Sequence, residues 1–396
     1  MSIARLFIKN FRLFEVIDID LNKKDLLKIG HNGSGKTSIL EALNLLISRK
    51  SIRTRDLKEC IKEGSEGFSL GLEIKNKDEV LTIKAGKQVY KRESIKTKLV
   101  NIPANKPNLP IIQFIQAKDL RMIEGETELR RDFFNKTMFH VEHSSKIDFK
   151  NYKKALNQRN ISLKRKISES ELKAWNEVLV ETGSILAEKQ KSFFENVFKK
   201  SLEEKRKISE RELKAWNELL VETGSILAEK QKSFFENVFK KSMEEKRKNG
   251  DAKEAFLNRI KVAFNRGWPE GLSFSKALME SGEKDRALGY TSVGPHRLDF
   301  KYSINNKLAK SFLSRGQQKL LIILSFFRFN DILMAKNKAG VVYLIDDVTS
   351  ELDQDNLAIV LEQAVELRAQ LLITAIKGKS LSNMAPFLDK FRQLIL

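Results

Sequence analysis

Short unbroken apolar runs at residues 341–345 and 371–373, and a mostly apolar run at 26–29 that contains Lys28, stand out along the chain and predict strands. The apolar residues at 38–47 are spaced as a helix, and those from 320 to 327 read as a core helix. In the middle of the chain the pattern changes. There Leu172, Trp175, Leu179, Leu186, Phe193 and Val197 recur at spacings of three to four and seven, a coiled-coil-like stripe.

That stripe belongs to a repeat. Residues 166–206 recur as 207–247, a period of 41, with differences only at Ser170/Arg211, Val178/Leu219 and Leu202/Met243. Functional arrays drift apart and need about three units to bury a core, so two near-identical copies read as a recent tandem duplication or an assembly artefact. Removing one copy of 41 from 396 residues leaves 355. Each copy carries its own helix start, Ser168 with Glu171 and Ser209 with Glu212 as capping boxes, and Ile167/Leu172 and Ile208/Leu213 as hydrophobic staples. About 38 helical residues would span about 57 Å. At about 100° per residue, a shift of 41 turns the stripe by about 140°, so one unbroken helix could not present both copies to the same partner. A break is expected near residues 205–208, with one copy in place and the other displaced.

Composition then narrows the class. Hydrophobic residues make up 41% and charged residues 32%, which supports a buried core and excludes a globally disordered or collagen-like chain. Lys and Arg number 73 against 52 acids, a net charge of +21, and the two repeats together account for only +1 of it. The rest of the chain therefore carries a basic surface suited to a polyanion. The single cysteine, Cys60, fits a reducing compartment. The start of the sequence lacks the apolar segment of a signal peptide, and no run approaches the ~18 residues of a membrane span. A cytoplasmic location with no membrane partner is the expectation.

The chemistry lies at the two ends. Gly30, His31, Asn32, Gly33, Ser34, Gly35, Lys36, Thr37 and Ser38 match GxxxxGK[ST] between a predicted strand and a predicted helix, a phosphate-binding loop. Glycines let backbone N–H groups curl around phosphates, and the helix start adds its positive dipole end. Lys36 should reach the β- and γ-phosphates of ATP, and the Thr37 hydroxyl should bind Mg²⁺. The run 341–345 ends in Asp346 and Asp347. Asp346 is expected to hold the Mg²⁺, directly or through water, and Asp347 to orient or deprotonate the attacking water.

Ser314, Arg315, Gly316 and Gln317, just before the apolar helix, resemble the signature motif of ABC-type ATPases, which contacts the γ-phosphate held by the opposite subunit. Ser350 and Asp353 look like the D-loop of that class. More specifically, Asn10-Phe-Arg12, the phosphate loop, Lys50 to Thr54, Arg130-Arg131-Asp-Phe133, Gly294 to Phe300, the signature and the acidic strand resemble the RecF family, ATPases of bacterial recombination and gap repair related to SMC heads. The resemblance runs nearly end to end. It implies an ABC-type head with a short helical arm, ATP-driven homodimerisation, DNA binding, slow hydrolysis, and cooperation with RecO and RecR to load RecA on gapped DNA.

Several positions depart from that pattern. Ala117-Lys118-Asp119 stand where the family usually reads Pro-Glu-Asp; Gln116 is the candidate Q-loop residue, with Gln113 as the alternative. Asp347 replaces the usual catalytic Glu, and Thr374 occupies the switch position where many ABC proteins carry His. The duplication is foreign to the family. Other polar residues have simpler readings. His140 and His143 flank Glu142 without the HExxH spacing of a zinc site, His31 faces solvent from the loop, and His296 supports the dimer or nucleotide surface. Cys60 is structural. Two basic clusters, residues 84–98 and Arg49, Lys50, Arg53 and Arg55, could line a phosphate-backbone groove. The alternatives are a solvated loop for the first and, for Arg53 in the second, a nucleotide-adjacent or structural role.

The sequence thus predicts an α/β fold, a discontinuous ABC-type P-loop ATPase head from residues 1–145 and 285–396. A helical arm at 146–284 is lengthened by the 41-residue duplication. Two protomers would sandwich ATP and close on DNA, as a weak DNA-dependent ATPase acting as a switch. The rival readings are a nucleotide-binding subunit of a transporter and a RecF-like chain made non-functional by the duplication.

Overall fold

The computed structural model describes residues 2–21, 25–31, 33–76, 79–88, 99–100, 109–200, 260–304, 307–336, 339–367, 369–376 and 391–395. Packing divides the chain into two units. The first comprises Met1–Leu129, Phe139–Val141 and Leu313–Leu396, the second Arg130–Met138 and Glu142–Phe312.

Two sheets build the first unit. One is antiparallel, with strands β1 (Ser2–Phe11), β2 (Phe14–Asp20), β4 (Gly67–Asn76), β5 (Glu79–Gln88) and β6 (Leu99–Val100) in the order β2-β1-β4-β5-β6. The other is parallel and contains all three strands predicted from apolar runs: β3 (Leu26–Gly30), β7 (Ile111–Ile115), β11 (Val341–Ile345), β12 (Gln370–Ile376) and β13 (Arg392–Ile395), ordered β13-β3-β12-β11-β7. All five residues of β11 are buried, which is why the run shows no polar alternation. Its side chains divide by the strand period of two: Val342 and Leu344 join the core shared with helix α1 (Lys36–Ser48) and the antiparallel sheet. Tyr343, from the opposite face, meets Phe327 edge-to-face with ring centroids 5.2 Å apart. Ile39, Leu40, Leu43, Leu45 and Leu46 of α1 are 0–2% exposed, and each contributes roughly 1.5–3 kcal/mol of burial. The two sheets are also joined by one amide: the Gln370 side chain accepts from Ile3 N–H at 2.7 Å and donates to Ile3 O at 3.0 Å.

In the second unit, helices α4 (His143–Arg165) and α5 (Glu169–Phe194) form an antiparallel hairpin. Ser168 caps α5 by accepting from Glu171 N–H, which is one half of the predicted capping box. Leu172, Leu179, Leu186, Phe193 and Val197 of the predicted stripe are buried, and Trp175 is half-buried. The first copy of the repeat is firmly seated. Lys189 pairs with Asp148 at 2.6 Å, the Gln190 amide donates to Asn135 at 3.1 Å, and Phe194 stacks on Phe264 at 4.5 Å. The α-helix ends sooner than the repeat length suggested, passing into a wider π turn at Glu195–Lys200. Neighbouring Phe193 and Phe194 are both buried there, although ideal helical spacing would separate them by about 100°. The second copy, 207–247, and the expected break at 205–208 lie outside the described residues.

The arm region is not wholly helical. β8 (Ile260–Asn265) pairs with β9 (Asp299–Ile304), which pairs with β10 (Lys307–Leu308), in an antiparallel sheet. This pairing draws residues 285–312 into the second unit, so the packing boundaries fall at 129 and 313 rather than at 145 and 285. Two buried ion pairs tie those residues in. Arg130 donates to both oxygens of Asp299 at 2.7 and 3.0 Å. Arg159 reaches Asp285 at 2.8 Å, Thr291 at 2.7 Å and Asn176 at 2.6 Å. The neighbouring imidazole of His296 accepts from Tyr152 Oη at Nδ1, 2.6 Å away, and donates from Nε2 to Thr291 O at 3.1 Å. A carbonyl can only accept, which fixes this neutral tautomer.

Two outcomes follow from these buried groups. Arg159→Met leaves the fully buried Asp285 without its cation and should cost about 3–5 kcal/mol in chemical denaturation. Burial pushes the His296 pKa down to about 4, so the unfolded chain binds the extra proton between pH ~6.5 and ~4. Stability contributed by neutral His296 is complete above pH ~6.5 and is lost as pH falls through that window. His296→Gln should remove this part of the acid sensitivity, as measured by melting temperature against pH in parallel with the unaltered chain.

Candidate nucleotide site

All strands of the parallel sheet run the same way, so their C-terminal ends share one edge, where ligands of open α/β sheets bind. Gly30 ends β3 there, and α1 begins at Lys36, two residues earlier than the sequence suggested, placing Lys36 and Thr37 in its first turn. Gly33 and Gly35 have φ of 83° and 84°, a left-handed conformation that glycine takes without penalty. A Cβ at Gly35 would strike the Phe14 ring at 2.5 Å, whereas the space around Gly33 is open. Lys36 turns back through the loop and donates to Gly30 O and His31 O, both at 2.7 Å. His31 and Gly33 are exposed, Ser38 is buried, and Asn32 lies outside the described residues.

Beneath the loop, Thr37 Oγ1 lies 2.9 and 3.0 Å from the two carboxylate oxygens of Asp346, across 309 residues of sequence. Thr374 Oγ1 donates to Asp346 Oδ1 at 2.8 Å and accepts from Asp347 N–H at 2.8 Å. Thr374 is fully buried and Asp346 half-buried. One carboxylate is thus held by a helix on one side and a strand on the other, and the strand's hydroxyl also fixes the backbone of the second acid. Asp347 has φ 50°, and Thr349 Oγ1 donates to its carboxylate at 3.4 Å. Strand register sets Gln116, one residue beyond β7, level with Asp346, while Gln113 is buried within the strand opposite Tyr343. Gln116 begins the turn Ala117–Leu120, its N–H donating to Asp119 Oδ2 at 2.8 Å.

Ser314 caps helix α8 (Arg315–Arg328). Its hydroxyl accepts from Gln317 N–H at 3.2 Å, and the Gln317 side chain accepts from Ser314 N–H at 3.0 Å. Ser314 and Arg315 are exposed, so this helix start, with its positive dipole end, faces solvent. Arg315 reaches Glu124 at 3.3 Å. A Cβ at Gly316 would fall 2.6 Å from Glu351 O, so only glycine lets the two chain segments approach this closely. Ser350 accepts from Lys319, and Asp353 caps the helix Gln354–Glu366 by accepting from Asn356 N–H at 2.8 Å.

Two groups escaped the sequence reading. Glu41 is fully buried in α1, where Arg12 pairs with it at 2.7 and 2.9 Å, Ser51 donates to it at 2.5 Å and Arg53 stands 3.7 Å away. Arg53 also reaches Ser38 Oγ at 3.4 Å, next to the phosphate loop, in line with the structural or nucleotide-adjacent reading. Cys60 lies beside Glu41 and its thiol pKa is raised by burial, in keeping with a structural role. Lys319, the second, is 5% exposed on α8. The signal for Glu41 was a charged residue inside an apolar helical run, whereas Lys319 stands at the border of one.

The loop suits the phosphates of a nucleotide. Gly33 and Gly35 are left-handed, and the Ser34 hydroxyl is buried with no hydrogen-bond partner among the described residues. Thr37 and Asp346 would hold Mg²⁺, which commonly takes one or two protein oxygens and completes its shell from phosphates and water. Among the described residues, no group of three or more His, Cys, Asp or Glu forms a metal cluster, His140 and His143 included. No described helix is long and apolar enough to cross a membrane.

The RecF/RecN/SMC N-terminal domain family matches residues 2–393. The DNA replication and repair protein RecF of Saccharophagus degradans is 30% identical over 394 residues, covering 97% of this chain and 94% of the relative. That of Haemophilus ducreyi is 28% identical over 389 residues, with the same coverage. A solved structure described as the recombination mediator protein RecF-ATP in the RecFOR pathway has a TM-score of 0.66 at 21% identity, covering 96% of this chain and 92% of the other. With a family match spanning nearly the whole sequence, this chain belongs to the RecF family of DNA replication and repair proteins, within the RecF/RecN/SMC group.

Proposed function

We propose that this chain is an ATP-gated, DNA-binding homodimer of gap repair and replication restart, working in the cytoplasm with RecO and RecR to help load recombinase at single-strand gaps. The observation that carries this reading is the junction of Thr37, Asp346 and Thr374 directly below the phosphate loop. ATP, when bound, supplies the phosphoanhydride whose cleavage resets the switch. Lys36 neutralises phosphate charge, and Thr37 and Asp346 hold Mg²⁺. Asp347 is the group that orients or deprotonates the attacking water, with Gln116 and Thr374 at the same sheet edge. A carboxylate one methylene shorter than the usual Glu suits slow turnover.

Ser314, Arg315, Gly316 and Gln317 form a helix start whose first two residues, Ser314 and Arg315, are exposed. Such a terminus favours an anion, and the γ-phosphate of a partner protomer supplies one. The transition between open and closed dimers then draws on the higher affinity of the closed state for ATP. A charge of +20 outside the repeats favours the phosphate backbone of DNA without base specificity.

Lys36→Ala should abolish ATP binding in equilibrium titration and, with it, ATP-dependent dimers; retained nucleotide affinity would overturn the site assignment. Ser314→Arg should bind ATP normally and sediment as a monomer, and an ATP-bound dimer of that variant would refute the role in trans. Sedimentation with ATP and gapped duplex DNA, on the full chain and on one lacking 207–247, tests the whole reading. ATP-dependent, DNA-bound dimers are expected in both, and dimers in neither would reject it.

A further inference from the structure

Lys319 lies one turn into α8 and is nearly inaccessible to solvent. Its ammonium has three N–H donors and three acceptors placed for them: Asp347 O at 2.6 Å, Ser350 O at 2.6 Å and Ser350 Oγ at 3.0 Å. None of the three is a carboxylate, so a buried charge is spent on orienting backbone carbonyls. Burial lowers the Lys319 pKa, and the nearby carboxylates of Asp347, Glu351 and Asp346 oppose that shift. The segment so held is unusual, with Asp347 and Glu351 at φ 50° and 66°, where side-chain-bearing residues are seldom found. A second contact fixes the same two pieces together, since Gly316 of α8 approaches Glu351 O too closely for any side chain.

We propose that Lys319 is a positioning residue: it fastens the loop 347–351, which carries the candidate catalytic acid, to the helix whose exposed start reads the partner's nucleotide. The inference rests on the ATP-site reading above. In a dimer with composite sites, α8 of one protomer touches the ATP held by the other, while Lys319 ties that helix to the first protomer's own Asp347. Engagement at one site thereby sets the geometry of the acid at the second, and the two ATP molecules are read together. An apolar residue of equal length would fill the space but leave the two carbonyls without their shared donor.

The test uses the full chain, Lys319→Met and Ser350→Ala, each measured for ATP affinity, ATP-dependent sedimentation and steady-state hydrolysis at protein concentrations that saturate the dimer. Lys319→Met should bind ATP and dimerise within twofold of the unaltered chain, with kcat reduced at least tenfold and KM unchanged. Amide exchange across residues 346–353 of the ATP-bound dimer should rise in the same variant. Ser350→Ala, which removes one acceptor and leaves the ammonium in place, should lower kcat two- to fivefold and serves as the deciding variant if Lys319→Met does not fold. An unchanged kcat in whichever of the two variants folds, or a fall matched by an equal loss of ATP affinity, would overturn the positioning role. Failure of the unaltered chain to bind ATP would instead overturn the underlying site reading.

Discussion

Asp346 stands at the C-terminal edge of a parallel sheet, and two hydroxyls from opposite sides converge on its carboxylate. Thr37 comes from the first turn of α1 and Thr374 from β12, so one side chain joins the N-terminal phosphate loop to the C-terminal half of the sheet. A half-buried carboxylate with those two donors is well solvated by the protein itself, and its position follows from strand register rather than from a flexible loop. Thr374 adds a second tie by accepting from Asp347 N–H, so the spacing of the two acids is set by the same hydroxyl. The Thr374 side chain is buried and faces the acids as a hydrogen-bonding clasp.

Around this junction the first unit places its charged residues with economy. Glu41 takes Arg12 and Ser51 inside the core, with Arg53 close by, and so connects the turn after β1, helix α1 and the segment following it. Lys319 does the equivalent on the other face of the parallel sheet, joining α8 to the loop after β11. Both are buried charges whose removal would take short bonds, of 2.7 and 2.6 Å, from their partners, and such groups cost more to break than they contribute as pairs.

The second unit bears on the duplication. The first copy is locked by Lys189, Gln190, Phe193 and Phe194 into a hairpin with α4 and against β8 and α3 (Thr127–Val141). It differs from the second copy at Ser170 and Val178, which are both exposed on α5, and at Leu202, beyond the described residues. The differences on α5 therefore fall where packing imposes little.

The sequence by itself determined the parts whose chemistry is local. The glycine-rich loop, the acidic strand, the helix capped by Ser314, and the coiled-coil-like stripe each depend on spacing within a few residues, so each was legible as pattern. The buried strands were legible too, because a strand covered on both faces must be continuously apolar. Tertiary structure decided what joins residues far apart in sequence. The clasp of Thr37 and Thr374 on Asp346, the placing of Gln116 level with Asp346 while Gln113 is buried within β7, and the linkage of Lys319 to residues 347 and 350 all depend on strand order and register, which no local period encodes. The unit boundary moved for the same reason. β8 and β9 are separated by more than thirty residues, and their pairing, with the buried pairs of Arg130 and Arg159, drew residues 285–312 away from the head to which sequence order had assigned them.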